Sequence, residues 1–461
     1  MNNAIEKIIN EERFTKIISE NTNPTSEQID FVLKKALQKK GLSLEDVSVL
    51  INIDNREALE KLYNAAGQVK QEIYGERLVL FAPLYISSYC VNDCVYCGFH
   101  CRNKAERRKL TSREIEEQVK EIEDMGHKRI LLECGEDERN SPIDFVVDAI
   151  ETIYKTKSKR GEIRRVNVNI AATTIENYKK LKNCGIGTYQ LFQETYHRPT
   201  YEKIHRGPKA DFERQLFAHD QAFAAGIDDL GLGVLFGLYD WKFEILALLS
   251  HAEYMEKTFG VGPHTISVPR FQPAPTVDLK LEYQVSEEEL LKIIAILRLA
   301  VPYTGLIIST RERPGIRAKA FQIGISQTSA GSHTEVGGYG NKNEHLIKQF
   351  EVSDDRSSQE IIKSILEQGL LPSFCTACYR LGRTGEKFME LAKPGEIHNF
   401  CLPNAILTFK EYLEDYASPE VKMMGEKIIE RESARITDQN LIQEAERRLE
   451  RIERGERDLY F

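Results

Sequence analysis

The chain has 461 residues, nine of them cysteine, and a net charge of -8 in which acidic and basic residues are interspersed. This charge balance argues against a nucleic-acid-binding protein. No apolar run is long enough for a transmembrane helix, and the N-terminus lacks the apolar core of a secretory signal. An odd number of cysteines in a large chain of this kind indicates reduced thiols and metal ligands, and therefore a cytoplasmic protein.

The order of apolar patterns predicts three regions. Residues 1–75 are predicted to form a helical extension, because apolar residues recur at helical spacing and Thr25 and Ser43 suit helix starts. From 76 to 345, short apolar runs alternate with helical stretches, which is typical of parallel strands joined by helical crossovers. Eight such units predict an α/β fold, the (β/α)8 TIM barrel, with a partial barrel of six units as the alternative. Residues 346–461 are predicted to form a helical C-terminal domain.

The barrel segment contains eight predicted strands. They are Leu78–Ile86, Arg129–Cys134, Val166–Ala171, Thr188–Glu194, Leu230–Phe236, His264–Phe271, Gly305–Arg311 and Ile325–Ala330. In a barrel, catalytic and binding side chains gather where the strands run out into loops at their carboxyl ends. The residues that follow these strands are therefore the candidates for chemistry.

Three cysteines, Cys90, Cys94 and Cys97, follow the first predicted strand at C-x3-C-x2-C spacing. Three thiolates on one loop suit three corners of a 4Fe-4S cluster and leave one iron open to a ligand. A zinc site with Cys101 as fourth ligand is the alternative, although structural zinc favours C-x2-C pairs. The aromatic Tyr96 before the third cysteine and the Gly-Phe pair after it favour the cluster.

A second cysteine set lies near the C-terminus, where Cys375 and Cys378 form a C-x2-C pair and Cys401 follows. Three thiolates again suit a cluster with an open iron, which offers a second place to bind a small molecule. A zinc site completed by His398 is the alternative, since Zn²⁺ takes three cysteines and one histidine readily. The remaining cysteines are expected to be ordinary buried thiols: Cys101, Cys134 and Cys184.

Polar residues with binding potential end other predicted strands. Gly135 and Glu136 follow the second strand, Asn169 ends the third and Glu194 ends the fourth. A glycine turn lets the backbone approach a ligand closely, an asparagine can reach a ribose or substrate, and a carboxylate suits a cation or ribose hydroxyls. A plain turn, core packing and a structural salt bridge are the respective alternatives.

Two further candidate sites lie at opposite ends of the predicted barrel. Ser309 and Arg311 follow the seventh strand, where a guanidinium can clamp a carboxylate through two hydrogen bonds, as an amino-acid substrate requires. A structural pair between Arg311 and Glu312 is the alternative. His264 begins the sixth strand, so it is expected at the end of the barrel away from the first cysteine set.

The first cysteine set resembles that of the radical S-adenosylmethionine enzymes, whose C-x3-C-x-aromatic-C loop is matched from Cys90 to Cys97. The resemblance implies that the open iron binds S-adenosylmethionine and that a 5′-deoxyadenosyl radical removes a hydrogen atom from the substrate. Such an oxygen-sensitive cluster favours an anaerobic bacterium. At Cys134 the sequence departs from the glycine usual in this family. The residues implied to contact the cofactor are Tyr96, Gly135, Glu136, Asn169 and Glu194.

Together the two cysteine sets resemble those of the tyrosine lyases that mature FeFe-hydrogenase, relatives of the thiamine-pathway 2-iminoacetate synthase. The stretches 262–270 and 309–312 share in this resemblance. It implies two 4Fe-4S clusters, the C-terminal one with an extra iron. That iron is expected on His264, with His251 and His398 as alternatives.

The same resemblance implies the reaction and its partners. L-tyrosine, with its carboxylate on Arg311 and Ser309, is expected to yield p-cresol and dehydroglycine, and then CO and cyanide in an Fe(CO)(CN) unit. The expected partners are reduced flavodoxin or ferredoxin as electron donor and a hydrogenase scaffold maturase as recipient. Two alternatives stay open: a 2-iminoacetate synthase with zinc in the C-terminal cysteine set, and a non-enzymatic iron–sulfur carrier.

Overall fold

The structure, a computed structural model, describes residues 2–274, 276–340 and 346–461. Residues 341–345, at the end of the predicted barrel segment, therefore lie outside the described part. Within that part, no helix is both long enough and apolar enough to cross a membrane.

Five helices precede the first strand: α1 (Asn2–Ile5), α2 (Glu11–Glu20), α3 (Ser26–Ala36), α4 (Leu44–Ile51) and α5 (Arg56–Tyr74). Thr25 and Ser43 close capping boxes at the starts of α3 and α4, as the sequence predicts. At the end of α5, the Tyr74 hydroxyl donates a hydrogen bond to the carbonyl of Tyr303. This bond anchors the N-terminal extension to the barrel segment, in which Tyr303 lies.

Eight parallel strands form a closed barrel. They are β1 (Arg77–Ser87), β2 (Arg129–Cys134), β5 (Arg165–Asn169), β6 (Tyr189–Gln190), β7 (Leu230–Gly233), β8 (Thr265–Ser267), β9 (Gly305–Ile308) and β10 (Gln327–Ser329), with a small hairpin of β3 (Lys157–Ser158) and β4 (Gly161–Glu162) between the second and third barrel strands. Pairing of β10 with β1, from Val79↔Gln327 to Phe81↔Ser329, closes the circle. The predicted (β/α)8 TIM barrel is confirmed, and the six-unit alternative is wrong.

Helices cover the outside of the barrel. They are α6 (Ser112–Asp124), α7 (Ile143–Lys155), α8 (Ile175–Asn183), α9 (Arg198–Ile204), α10 (Phe212–Leu216), α11 (Ala218–Ala224), α12 (Trp241–Phe259), α13 (Glu287–Ala300) and α14 (Pro314–Ile323). The fourth barrel strand is shorter than the predicted Thr188–Glu194. Glu194 has a φ of 67°, which is incompatible with extended strand geometry and turns the chain at the barrel mouth.

The C-terminal region contains six helices and one strand. They are α15 (Ser358–Glu367), β11 (Leu371–Ser373), α16 (Ala377–Arg380), α17 (Gly385–Ala392), α18 (His398–Asp415), α19 (Pro419–Ser433) and α20 (Gln439–Glu453). The strand was not predicted from the sequence. Strand β11 pairs in parallel with the first residues of β1, beginning at Arg77↔Leu371. This pairing joins the C-terminal region to the amino-terminal end of the barrel strands.

Candidate active site and second cysteine set

The first cysteine set lies on the loop after β1, at the carboxyl end of the barrel. The Val91 N–H donates to the carbonyl of Glu136 at 2.8 Å, which ties this loop to the turn after β2. The Arg107 guanidinium donates to four carbonyl oxygens around the same loop, those of Ser88, Phe99, His100 and Asn103. These bonds hold the loop in one conformation, as a rigid metal-binding loop requires.

A cavity of about 190 Å³ occupies the mouth of the barrel. The predicted site residues that line it are Cys90, Cys94, Tyr96, Cys97, Gly135, Glu136, Asn169, Glu194, Ser309 and Arg311. The fold therefore brings together, around one space, all the candidates from the loop after β1 and from the ends of β2, β5, β6 and β9. Their roles as ligands remain predictions.

Of the first cysteine set, Cys94 is buried, and Cys90 and Cys97 are partly buried. Burial raises the pKa of the Cys97 thiol to about 12 and also raises the pKa values of Cys90 and Cys94. Buried thiolates are therefore stable only beside positive charge, which bound iron supplies. The donor set fits an iron–sulfur cluster with three protein ligands.

Tyr96 stabilises the cysteine loop by packing and by one hydrogen bond. Its ring belongs to an apolar cluster with Cys94, Leu235 and Phe271, and its hydroxyl lies 2.8 Å from the Nε2 atom of His205. An aromatic residue at this position thus fixes the neighbouring cysteine by packing.

The turn after β2 requires glycine. A Cβ atom on Gly135 would lie 2.3 Å from the carbonyl oxygen of Tyr89, so any larger residue would collide with the backbone. The next side chain, Glu136, accepts hydrogen bonds of 2.6 Å from Asn92 and 2.6 Å from Arg214. Its carboxylate is therefore engaged with protein groups.

Glu194 projects into the cavity within an ion pair. The Lys209 ammonium lies 2.7 Å from its carboxylate, and both side chains are largely buried. Burial alone would lower the pKa of Lys209, but Glu194 and the neighbouring Cys94 outweigh that effect and raise it. Sequence reasoning missed Lys209, because it lies on a loop after α9 with no motif around it.

A second carboxyl group, Glu133, faces the cavity from β2. Asn169 donates to both of its carboxylate oxygens, at 3.2 and 3.1 Å. Burial raises the pKa of Glu133 to about 8, so the group is largely protonated at neutral pH. Sequence reasoning missed it, although strand alternation places an inward side chain one residue before the end of β2.

Arg311 is available to an anionic ligand. Its guanidinium stacks on the Phe350 ring at 3.5 Å from the centroid, and its Nε atom has no hydrogen-bond partner in the described part of the chain. Glu312 instead accepts from Arg270 at 3.1 Å, so the alternative of an Arg311–Glu312 pair is wrong. Ser309 lines the same cavity, and its Oγ accepts a hydrogen bond of 3.3 Å from the backbone N–H of Arg311.

The second cysteine set lies at the opposite end of the barrel. The carbonyl of Cys375 accepts a hydrogen bond of 2.8 Å from Arg129, the first residue of β2, whereas the turn at the other end of β2 bonds Val91, next to Cys90. At the start of α18, Cys401 is buried beside Cys378, and the hydrogen bond from the Cys378 thiol lowers the pKa of Cys401.

Unsatisfied polar atoms surround this second set. In the described ranges, the buried atoms without a hydrogen-bond partner include Arg77 Nε, Arg129 Nε, both Asp229 carboxylate oxygens and His264 Nδ1. Such atoms are rare in protein interiors unless a ligand or water satisfies them. The surroundings therefore fit a bound polar group. In the described part of the chain, at either cysteine set, no three His, Cys, Asp or Glu side chains converge on a single metal ion.

His264 lies at the same end as the second set, where the sequence places it. Its ring centroid is 6.0 Å from that of Tyr379, the residue after Cys378, and its Nδ1 is 3.6 Å from Asp229. Of the two alternatives, His251 bonds the Tyr196 hydroxyl at 2.8 Å within the outer helical layer, and His398 begins α18.

The prediction of buried thiols is wrong for Cys101, which is exposed on the loop after the first cysteine set. Its N–H donates to the carbonyl of Asn92, which turns this stretch outward. Cys134 and Cys184 are partly buried.

Comparison with known proteins gives a consistent family. The profile of the Radical SAM superfamily matches residues 84–250, and that of the Biotin and Thiamin Synthesis associated domain matches residues 267–371. The 2-iminoacetate synthase of Salmonella typhimurium is 31% identical over 356 residues, covering 77% of this chain and 92% of that protein. A crystal structure of HydG, described as a maturase of the FeFe-hydrogenase, is 54% identical with a TM-score of 0.96, covering 99% of this chain and 100% of the other. HydG from Carboxydothermus hydrogenoformans is 38% identical with a TM-score of 0.85, covering 97% and 99%.

The barrel, its cysteine loop and these matches define a radical S-adenosylmethionine enzyme. This class implies one 4Fe-4S cluster and S-adenosylmethionine, which the cavity at the barrel mouth fits. Within the class, the chain belongs to the HydG family.

Proposed function

We propose that this chain cleaves L-tyrosine to p-cresol and dehydroglycine, and converts the latter to CO and cyanide. These leave as an Fe(CO)(CN) unit for assembly of the H-cluster of FeFe-hydrogenase, with a hydrogenase scaffold maturase as recipient. The observation that carries the proposal is the placement of two cysteine sets at opposite ends of one barrel, the first on a cavity with an available guanidinium.

In the cavity at the barrel mouth, Cys90, Cys94 and Cys97 would hold the 4Fe-4S cluster. When bound, the cluster and S-adenosylmethionine supply a 5′-deoxyadenosyl radical that abstracts hydrogen from the substrate. Arg311 binds the tyrosine carboxylate through two charge-assisted hydrogen bonds, and Ser309 accepts from the backbone N–H of Arg311 at the wall of the same cavity. The enclosing walls exclude water from the reactive species.

At the far end, Cys375, Cys378 and Cys401 would hold a second cluster, and His264 the iron that leaves as cargo. Burial lowers the pKa of His264, so its imidazole is neutral and able to ligate. The buried guanidinium of Arg129 lies at this site and offers positive charge to cyanide. CO and cyanide are toxic and diffusible. Because they are produced at one end of the barrel and captured at the other, they remain inside the protein.

The test uses reconstituted protein without oxygen, supplied with tyrosine, S-adenosylmethionine and a strong reductant. We expect p-cresol by chromatography and CO trapped on reduced haemoglobin. Cys94→Ala should lose both products, whereas Cys378→Ala should keep p-cresol and lose CO. Cys184→Ala, at a thiol outside both sets, serves as the matched control. Absence of both products from the wild type would overturn the proposal.

The second candidate is a 2-iminoacetate synthase, favoured by the 31% identity to such an enzyme over 92% of its length. It predicts p-cresol without CO, and zinc rather than a second cluster on the C-terminal cysteines. Metal analysis of the wild type and of Cys378→Ala separates the two, because the variant should lose either iron or zinc. A non-enzymatic carrier would cleave no S-adenosylmethionine.

A further inference from the structure

The cysteine loop is most exposed to solvent at one place. Within residues 90–97, all of which the structure describes, Val91 is the exposed side chain, at 43%. It directly follows Cys90 in the chain. Two other segments border this place. The segment 204–206 accepts from the N–H groups of Asp93 and Val95, and the turn after β2 accepts from the Val91 N–H through the carbonyl of Glu136.

The border of this opening carries more positive than negative charge. Arg102 and Arg206 both approach the carboxylate of Asp93, at 3.0 and 3.8 Å, and their side chains are 70% and 55% exposed. One buried carboxylate therefore faces two guanidinium groups, and His100 lies 3.1 Å from its other oxygen. The two arginines thus share one carboxylate while most of each side chain stays exposed.

Two exposed lysines extend this positive charge. Lys203 precedes Ile204, which bonds the cysteine loop, and Lys104 follows Asn103, whose amide donates to the Gly98 carbonyl at 2.7 Å. We call Arg102, Lys104, Lys203 and Arg206 the basic rim. The acidic residues of the bordering stretches are Glu106, Glu202, Asp137 and Glu138. Glu202 is paired with Arg198 at 2.8 Å, and the exposed Arg139 follows Glu138. The rim thus has a surplus of positive charge.

This surplus stands out against the whole chain, which has a net charge of -8. An acidic protein is repelled by most of such a surface and attracted to a local basic patch, which raises its association rate and orients it. The radical chemistry of the proposed function requires one electron from outside for each cleavage. A protein can approach that site at the exposed Val91, which directly follows Cys90.

We propose that the basic rim is the docking surface for a small acidic one-electron carrier protein of the flavodoxin or ferredoxin type. The carrier loses one electron, the site held by the cysteine loop gains it, and no proton needs to move. The proposal rests on the proposed radical chemistry but names the partner surface, which that chemistry leaves open.

The primary experiment measures binding without turnover. The probe is oxidised recombinant bacterial flavodoxin, titrated against wild-type protein and the double variant Lys104→Glu/Lys203→Glu, neither lysine being bonded to Asp93. We expect the variant to bind about tenfold more weakly or worse at low salt, and to lose most of the salt dependence of the affinity. The control, Lys159→Glu/Lys427→Glu, makes the same charge change at exposed lysines outside the rim and should bind as the wild type does.

A second measurement separates loss of carrier docking from loss of the protein's own activity. S-adenosylmethionine cleavage, measured without tyrosine, should fall in the rim variant when reduced flavodoxin is the donor and stay unchanged with dithionite. Equal affinity of the rim variant and wild type would overturn the proposal, as would an equal loss in the control. Since binding and cofactor cleavage need no tyrosine, failure of the lyase assay leaves this test decisive.

Discussion

A buried carboxyl group behind the active-site cavity allows a quantitative test of the structure. Glu244 on α12 is fully buried and accepts hydrogen bonds from the Thr195 hydroxyl and, at 2.8 Å, from the Tyr196 N–H. These residues directly follow Glu194, whose φ of 67° is unusual for a residue with a side chain. Glu244 therefore fixes the turn that directs Glu194 into the cavity.

Burial raises the pKa of Glu244 from 4.5 to about 8. Between these values the folded protein keeps the proton while the unfolded chain has released it. The group therefore lowers the free energy of unfolding by about 1.4 kcal/mol for each pH unit as pH rises through this window. Glu244→Gln removes the titration but keeps an acceptor for the Tyr196 N–H.

The assay is urea unfolding of the wild type and Glu244→Gln, without oxygen, across the same pH window. The stability difference should shift in favour of the variant by about 1.4 kcal/mol per pH unit. Glu244→Leu should instead lose about 2–5 kcal/mol at low pH, because two donors lose their acceptor. A difference between wild type and Glu244→Gln that is constant with pH would refute the reasoning.

Two further predictions concern substrate binding and the C-terminal region. Arg311→Lys loses the bidentate hydrogen bonds to the substrate carboxylate, which are worth about 1.5–3 kcal/mol. The KM for tyrosine should therefore rise roughly ten- to hundredfold, while S-adenosylmethionine cleavage without tyrosine is unchanged. An unaltered KM would contradict the assignment. At Gly126, with a φ of 91°, a Cβ would lie 2.4 Å from the Tyr412 ring on α18, so Gly126→Ala should cost about 2–4 kcal/mol in unfolding experiments. Gly226 has a similar φ of 89°, but a Cβ atom there would have no neighbour within 4 Å, so Gly226→Ala should cost only about 1 kcal/mol. Equal losses of stability in the two variants would contradict the packing of α18 against Gly126.

Several features of this protein follow from local sequence alone. The spacing from Cys90 to Cys97 defines a three-thiolate loop, because loop length limits which ligands one cluster can gather. The alternation of short apolar runs and helical stretches predicted the barrel, because each strand is buried on both faces and each helix on one. The helix starts at Thr25 and Ser43 were predictable because a capping box is a contact between residues three apart.

Other features were decided only by tertiary structure. In the sequence, Pro372 of strand β11 indicates the end of a helix. The strand forms because it pairs with the first residues of β1, and that pairing brings Cys375 to the end of the barrel opposite Cys90. The partnership of Glu194 with Lys209 likewise depends on a turn at positive φ that a distant helix holds. Local sequence specifies the elements and their caps, whereas contacts between distant segments decide which side chains share a cavity and which charges remain buried. Such contacts follow from the packing of the whole chain.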